Sequence, residues 1–234
     1  PITSVAVDAG RRQPDTEIRV SEPDLVAGRA LASALGVPQA QVIRGEAATN
    51  TEVLGEVHSP TIRRLVEVML EESDNVLAEA LARQVAIANG LPASFEGGAV
   101  ATERVLAEDN FVVNVSDGSG LSLDNRISPA ALVAILQKSI TDPKYSPIAS
   151  GMPVGSYSGT LYTRFNDPNE QAAAGKIRAK TGTLNSVSSL AGYVTTAGGR
   201  VLSFAAIANG YPEGADEPAR NALDELSAAL AQLK

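Results

Sequence analysis

Several residue types are absent or scarce in this chain of 234 residues. It contains no cysteine, no tryptophan and one histidine, and only 4 % of its residues are aromatic. The absence of cysteine excludes disulfide bonds, thiol nucleophiles and thiolate metal sites. Together with the single histidine it argues against a zinc site, so we expect neither a metal nor a cofactor.

Positive charge is also scarce. The chain carries 19 Lys and Arg residues against 27 Asp and Glu residues, which gives a net charge of −8 without any basic run. Phosphate binding needs a positive face, so we expect no nucleic-acid partner. No apolar stretch reaches the roughly 18 residues of a membrane span, and no signal peptide is evident. Because the chain begins at Pro1, we interpret it as an excised or processed piece.

The apolar patterning predicts a mixture of helices and strands. Helical spacing and capping signals indicate helices over about 21–35, from Ser59-Pro60 onward, and over 73–89, 96–108, 128–139 and 216–232. Alternating patterns indicate strands over 2–8, 111–115, 176–181, 187–195 and 201–208, with a β-like region over 41–57. The Pro-, Gly- and Ser-rich residues 141–175 predict loop, apart from a helical piece near 160–165. This order favours mixed α and β layers.

Two short polar strings indicate where chemistry takes place: Ser-Asp-Asn at 73–75 and Lys-Thr-Gly at 180–182. Acyl transfer from an amide needs a nucleophile, a proton shuttle, an oxyanion hole and a group that orients the substrate. Ser73 can relay a proton from a helix start, and Asn75 can hold a peptide amide by two hydrogen bonds. Each string alone also fits an ordinary helix cap or a solvated strand end, but their order and placement favour one site.

The second string adds a cation on a strand. Lys180 can hold a substrate carboxylate, and Gly182 lets a ligand backbone approach the strand edge. Thr181 and Thr183 present hydroxyl groups on one face, because strand side chains alternate, and the backbone N–H of Thr183 can form half of an oxyanion hole. We interpret His58, which precedes a helix start, as structural or solvated.

The attacking group is missing from both strings. Enzymes that carry these two strings hold the nucleophilic serine in a third one, Ser-x-x-Lys. The residues three positions before the lysines at 138, 144, 176, 180 and 234 are Ile135, Thr141, Ala173, Ile177 and Ala231. None of them is serine, so the sequence holds most of an active site without its nucleophile.

Longer stretches carry a family resemblance. They are DGSGLSLDNRISP at 117–129, GMPVGSYSGTLYTRF at 151–165 and KIRAKTGTLNSVSSLAGYV at 176–194, together with HSPTIRRLVEVMLEESDN before and into the first string. On these residues the chain resembles the C-terminal part of class C low-molecular-mass penicillin-binding proteins, the D-alanyl-D-alanine carboxypeptidase/endopeptidases of bacterial cell walls. The resemblance implies an α+β fold of the penicilloyl-serine transferase, β-lactamase-like kind. It has an antiparallel sheet with helices on both faces and a helical cluster.

The resemblance also implies roles and partners. Ser73 becomes the proton shuttle, Asn75 a substrate-amide contact and Lys180 with Thr181 the site of the terminal carboxylate. The substrate-binding set is completed by Gly182, Thr183, Ser119 and Leu121, the last two from a loop at the rim of the cleft. The implied partners are peptidoglycan stem peptides and β-lactam antibiotics. The implied location is the periplasm or cell wall.

The missing Ser-x-x-Lys stands far upstream in that family. We therefore expect residues 1–234 to be the C-terminal part of a single transpeptidase-like catalytic domain, inactive alone, whose nucleophile lies on an N-terminal segment outside this chain. A degenerate homologue is the alternative.

Three functions compete. The leading one is a serine-type D-Ala-D-Ala carboxypeptidase/endopeptidase acylated by β-lactams. A β-lactamase of the same fold is the second, but none of the glutamates between the two strings, Glu79, Glu96, Glu103, Glu108 and Glu170, stands in the Glu-x-x-Leu-Asn setting expected there. The third is a non-catalytic binder of wall peptides or a regulatory partner.

Overall fold

The computed structural model describes residues 10–13, 16, 18–46, 52, 56 and 58–234. The chain forms two compact units, residues 1–59 and 60–234, and each is considered by itself. Among the described residues, no helix is long and apolar enough to cross a membrane. The assignment of residues 1–234 to one catalytic domain stays a prediction.

The first unit holds helix α1, Pro23–Ala34, and a 3₁₀ turn, Gln39–Gln41. Proline at the first helical position favours this start. Gly36 follows the helix with φ of +71°, so the predicted glycine stop is confirmed. The predicted strand at 2–8 lies outside the described residues. The β-like prediction for 41–57 is wrong for 41–46, where a 3₁₀ turn is followed by irregular backbone; of the remainder only residues 52 and 56 are described.

The second unit begins with three helices: α2, Ile62–Glu72; α3, Asn75–Ala88; and α4, Phe95–Glu108. The predicted start of α2 at Ser59-Pro60 is wrong by two residues, because the Thr61 hydroxyl caps the helix by accepting from the Arg64 N–H at 3.3 Å. Helices α3 and α4 pack closely through small residues. A Cβ on Gly98 of α4 would lie 3.2 Å from the Cβ of Ala82 on α3.

Strands β1, Ile177–Leu184, β2, Val187–Thr195, and β3, Val201–Asn209, form an antiparallel sheet in that order. The three predicted strands are confirmed, and β1 continues three residues beyond its predicted end. Lys180 pairs with Ala191, and Gly182 pairs with Ser189. β1 is therefore an edge strand of the described sheet.

Helices cover both faces of this sheet, as expected. Helix α7, Asp216–Ala231, packs on one face over a core that includes Ile177, Leu190 and Phe204. On the other face, Tyr193 of β2 packs with Leu136 of helix α5, Pro129–Thr141, and with the neighbourhood of helix α6, Ser146–Gly151. Alternation along β2 sends successive side chains to opposite cores.

Two other sequence predictions fail. The alternating residues 111–115 form no strand, only an isolated bridge from Asn114 to Arg126. The segment 141–175, predicted as loop apart from one helical piece, also contains α6 and a 3₁₀ turn at Gln171–Ala173. The helical piece predicted near 160–165 is present as a 3₁₀ turn at Gly159–Leu161. Proline at the start of α6 was a usable signal.

Candidate active site

Ser73 lies in the junction between two helices. It ends α2 with φ of +55°, in the left-handed region that serine rarely adopts. The side chain of Asp74 caps α3 by accepting from the N–H groups of Val76 and Leu77, both at 3.0 Å. The prediction that a helix starts at Ser73 is therefore wrong. The sharp turn is what allows Ser73 and Asn75 to line one cleft.

Lys180 reaches this junction from β1. Its Nζ donates to the Ser73 Oγ at 2.7 Å and to the Thr181 carbonyl at 2.8 Å. The two polar strings, 107 residues apart in sequence, thus meet in space. A hydroxyl group that is hydrogen-bonded to an amine is suited to pass a proton between two reacting groups.

Burial changes the acidity of this amine. Removal from solvent lowers the pKa of Lys180 from 10.5 to about 8, because desolvation disfavours the charged form. A lysine with such a pKa can exchange its proton near neutral pH, and when charged it is a strong attractor for a carboxylate.

The outer edge of β1 is paired along part of its length. The Ala179 N–H donates to the Pro153 carbonyl at 3.0 Å, but within the described residues no backbone segment bonds to this edge farther along. Alternate residues of an antiparallel strand direct their backbone groups to the same side. Thr181 and Thr183 therefore direct their N–H groups to the same edge as Ala179, toward the cleft.

The opposite rim is formed by residues 117–125, called the rim loop here. The Asp117 carboxylate accepts from the N–H groups of Gly120 at 2.9 Å and Ser122 at 2.7 Å, and from the Asn125 amide at 2.9 Å. Burial opposes ionisation of this carboxyl most strongly, yet these hydrogen bonds together lower the pKa of Asp117. The loop that carries Ser119 is thus held in one conformation.

The cleft between β1 and the rim loop has a volume of about 860 Å³. It brings together all the residues that the sequence predicted for the site: Ser73, Asn75, Ser119, Leu121, Lys180, Thr181, Gly182 and Thr183. Gly182 has a further reason for lacking a side chain, since a Cβ there would lie 2.4 Å from the Ser189 Oγ on β2. Their chemical roles stay predictions.

The sequence did not indicate two residues that support the site without lining the cleft. Glu79 is buried one turn after Asn75 on α3, and its Oε1 accepts from the rim-loop N–H groups of Gly118 at 3.0 Å and Ser119 at 2.8 Å. The i, i+4 spacing to Asn75 was the available signal. Thr160 is the other, because its hydroxyl accepts from that of Thr181 at 3.1 Å; nothing in the sequence pattern indicated this contact.

Comparison with known proteins decides the family. The family model described as "D-Ala-D-Ala carboxypeptidase 3 (S13) family" matches residues 4–230. This chain belongs to the S13 family. The resemblance to low-molecular-mass penicillin-binding proteins and the expected fold class are thereby confirmed.

Individual relatives agree with this assignment. Carboxypeptidase DacB of Mycolicibacterium smegmatis is 43 % identical over 98 % of this chain and 51 % of its own length. D-alanyl-D-alanine carboxypeptidase DacB of Haemophilus influenzae is 30 % identical over 70 % of this chain and 35 % of its own. The crystal structure of penicillin binding protein 4 (dacB) from Haemophilus influenzae, complexed with a novel β-lactam, has a TM-score of 0.64 and 27 % identity. The aligned region covers 73 % of this chain and 41 % of the chain in that crystal structure. This S13 chain spans about half the length of the curated relatives it matches.

Proposed function

We propose that this S13 chain provides the proton relay and substrate-binding edge of a serine-type D-Ala-D-Ala carboxypeptidase/endopeptidase that β-lactams acylate. The observation that carries the proposal is the 2.7 Å hydrogen bond from Lys180 to Ser73, inside a cleft bordered by an open strand edge. Peptidoglycan stem peptides are the substrates, which places the protein outside the cytoplasmic membrane, in the periplasm or cell wall.

The substrate adds to β1 as an extra strand. Backbone N–H groups of Thr181 and Thr183 face the open edge, where an extended peptide gains main-chain hydrogen bonds. Lys180 and the Thr181 hydroxyl hold the terminal carboxylate, and the Asn75 amide holds the peptide bond on the acyl side. The N–H of Thr183 serves as one donor of the oxyanion hole.

The nucleophile comes from a segment outside residues 1–234. The chain lacks Ser-x-x-Lys, and its relatives are about twice as long. The serine of that segment attacks the carbonyl of the penultimate D-alanine, and its proton passes to the neighbouring lysine. Ser73, oriented by the hydrogen bond from Lys180, then delivers a proton to the leaving amine and recovers one from the lysine of that segment, so that Lys180 keeps its charge for the substrate carboxylate. Water releases the acyl group and returns the serine hydroxyl.

A β-lactamase finds no support in the cleft. Glu79 already accepts two N–H groups, and Glu103 accepts the Val115 N–H at 2.8 Å. No glutamate lines the cleft in the described part of the chain. Among the described residues, the deacylating water of a class A β-lactamase therefore has no glutamate base in this cleft.

Labelling with a fluorescent penicillin tests the proposal. We expect lasting, stoichiometric acylation of the intact protein, on a serine outside residues 1–234, and no labelling of residues 1–234 expressed alone. Rapid turnover of the penicillin would identify a lactamase, and silence of the intact protein would identify a binder. Covalent labelling of a residue within 1–234 would disprove the assignment of the nucleophile to another segment.

A further inference from the structure

A second groove lies beyond the paired end of the β1 edge. It has a volume of about 680 Å³ and is formed by α5, α6 and the start of β1. Its charged lining residues are Lys176 and Arg178, and no carboxylate lines it among the described residues. A cationic groove is a specific local feature in a chain whose net charge of −8 repels anions overall.

The two cations lack acidic partners within the described residues. Elsewhere, Arg44, Lys138 and Arg164 each pair with an aspartate, whereas neither Lys176 nor Arg178 takes part in an ion pair. Unpaired cations that share one concave surface attract an anion more strongly than isolated surface charges do.

Arg178 is also oriented. Its Nη1 donates to the carbonyl groups of Ser150 and Met152, both at 3.3 Å. These contacts engage one of the two terminal nitrogens, so the other guanidinium N–H groups stay available to a ligand. A guanidinium fixed in this way has the planar donor geometry that carboxylates fit.

The groove adds apolar surface to the charge. Ile140 and Val201 line it and are 58 % and 59 % exposed. A ligand that carries a carboxylate beside small apolar groups fits this combination, whereas a phosphodiester polymer leaves the apolar part unused. The D-alanyl end of a stem peptide has both features, a terminal carboxylate and methyl side chains.

Resting on the function proposed above, we propose that this groove binds the carboxylate end of a second stem peptide of the same wall polymer while the first occupies the cleft. Arg178 and Lys180 lie two residues apart on one face of β1, and Lys176 lies roughly 13 Å from Lys180 at strand spacing. Neighbouring stems of one polymer can cover that distance. The groove thereby favours polymeric wall over free peptide.

Blocking the cleft allows binding in the second groove to be measured separately. The intact protein is first acylated with penicillin, and complete acylation of each variant, read by intact mass, shows that it is folded. Binding of a synthetic stem peptide ending in D-Ala-D-Ala is then measured by calorimetry on the acylated protein. The double variant Lys176→Glu/Arg178→Glu removes both cations, and Arg220→Glu, an exposed cation on α7, is the matched control.

We expect the acylated wild type and the Arg220→Glu variant to bind the peptide. The double variant should bind at least about tenfold more weakly, since two charge-assisted contacts are lost. A peptide with a C-terminal amide should also bind more weakly. Absence of peptide binding to the acylated wild type, equal binding by the double variant, equal binding of the amide, or preference for a glycerol-phosphate polymer would each overturn the proposal. Failure of penicillin to acylate the wild type would instead overturn the proposed function.

Discussion

Replacing Lys180 with methionine should stabilise the fold while it impairs acylation. The pKa of Lys180 falls from 10.5 to about 8 on burial, and one pKa unit corresponds to about 1.4 kcal/mol. Keeping this amine charged at pH 7 therefore costs roughly 3 kcal/mol of the free energy of unfolding. Methionine has similar length and needs no desolvation of a charge. Loss of the hydrogen bonds to Ser73 and Thr181 offsets part of the gain, about 1 kcal/mol for each bond.

The lowered pKa of Lys180 also predicts how the free energy of unfolding changes with pH. The unfolded chain holds the lysine proton up to about pH 10.5 and the folded chain only to about pH 8, so wild-type stability should rise with pH across this interval. The stability advantage of Lys180→Met, largest below pH 8, should shrink over the same interval. Lys176→Met, an exposed lysine without an ion pair among the described residues, controls for the general effect of the substitution.

Urea unfolding of the intact protein at several pH values, with circular dichroism as the signal, measures this. In parallel, the second-order rate of penicillin acylation should fall at least about tenfold, because a charge-assisted bond to the substrate carboxylate is worth roughly 1.5–3 kcal/mol. A variant less stable than wild type at pH 7, or an advantage that does not change between pH 8 and 10.5, would refute the burial argument. An unchanged acylation rate would refute the proposed role of Lys180 in binding the substrate carboxylate.

Three further changes test separate parts of the structure. Ser73→Ala should slow acylation by about a hundredfold or more, since general acid–base groups contribute 10²–10⁴; an unaltered rate would remove Ser73 from the proton path. Glu79→Ala leaves two rim-loop N–H groups without their acceptor and should raise the KM for stem peptides more than it changes kcat. Glu79→Gln keeps an accepting oxygen and should restore the wild-type KM, whereas Glu79→Met, which keeps the packing but lacks an oxygen acceptor, should not. Arg164→Ala leaves the Asp224 carboxylate, 4 % exposed, without its ion-pair partner and should cost about 3–5 kcal/mol of unfolding free energy. The apolar pair Arg164→Met/Asp224→Leu should recover most of that loss, and a double variant as unstable as the single one would contradict this reasoning.

The sequence predicted which residues meet but not how the backbone brings them together. Lys180 was placed correctly because strand alternation in β1 is a local pattern that the sheet preserves. The helix start at Ser73 was misplaced because its φ of +55° is imposed by two helices and a capping aspartate. A serine side chain gives no signal of that conformation.

The missed contacts depend on tertiary structure. The helical pattern around Glu79 predicts only a helix residue, because its contacts are with the rim loop, which is distant in sequence. Thr160 lies in a segment whose composition predicts mostly loop. The alternating residues 111–115 read as a strand, yet only Asn114 finds a bridge partner. Strand patterns need a neighbouring strand to become sheet, and sequence periodicity does not provide one.

The charges that line the cleft give a physical reason to expect a preference for substrates that end in a carboxylate. In the described chain they are Asp74, Arg126 and Lys180. Asp74 is committed to capping α3, and Arg126 donates to the Leu123 and Asn125 carbonyls at 2.6 and 2.8 Å. The cleft is therefore positive by one charge within an acidic protein, and Lys180 is its cation nearest the open edge of β1. A substrate that ends in a carboxylate is drawn to that edge, while the same peptide with a C-terminal amide loses this attraction without any change in shape.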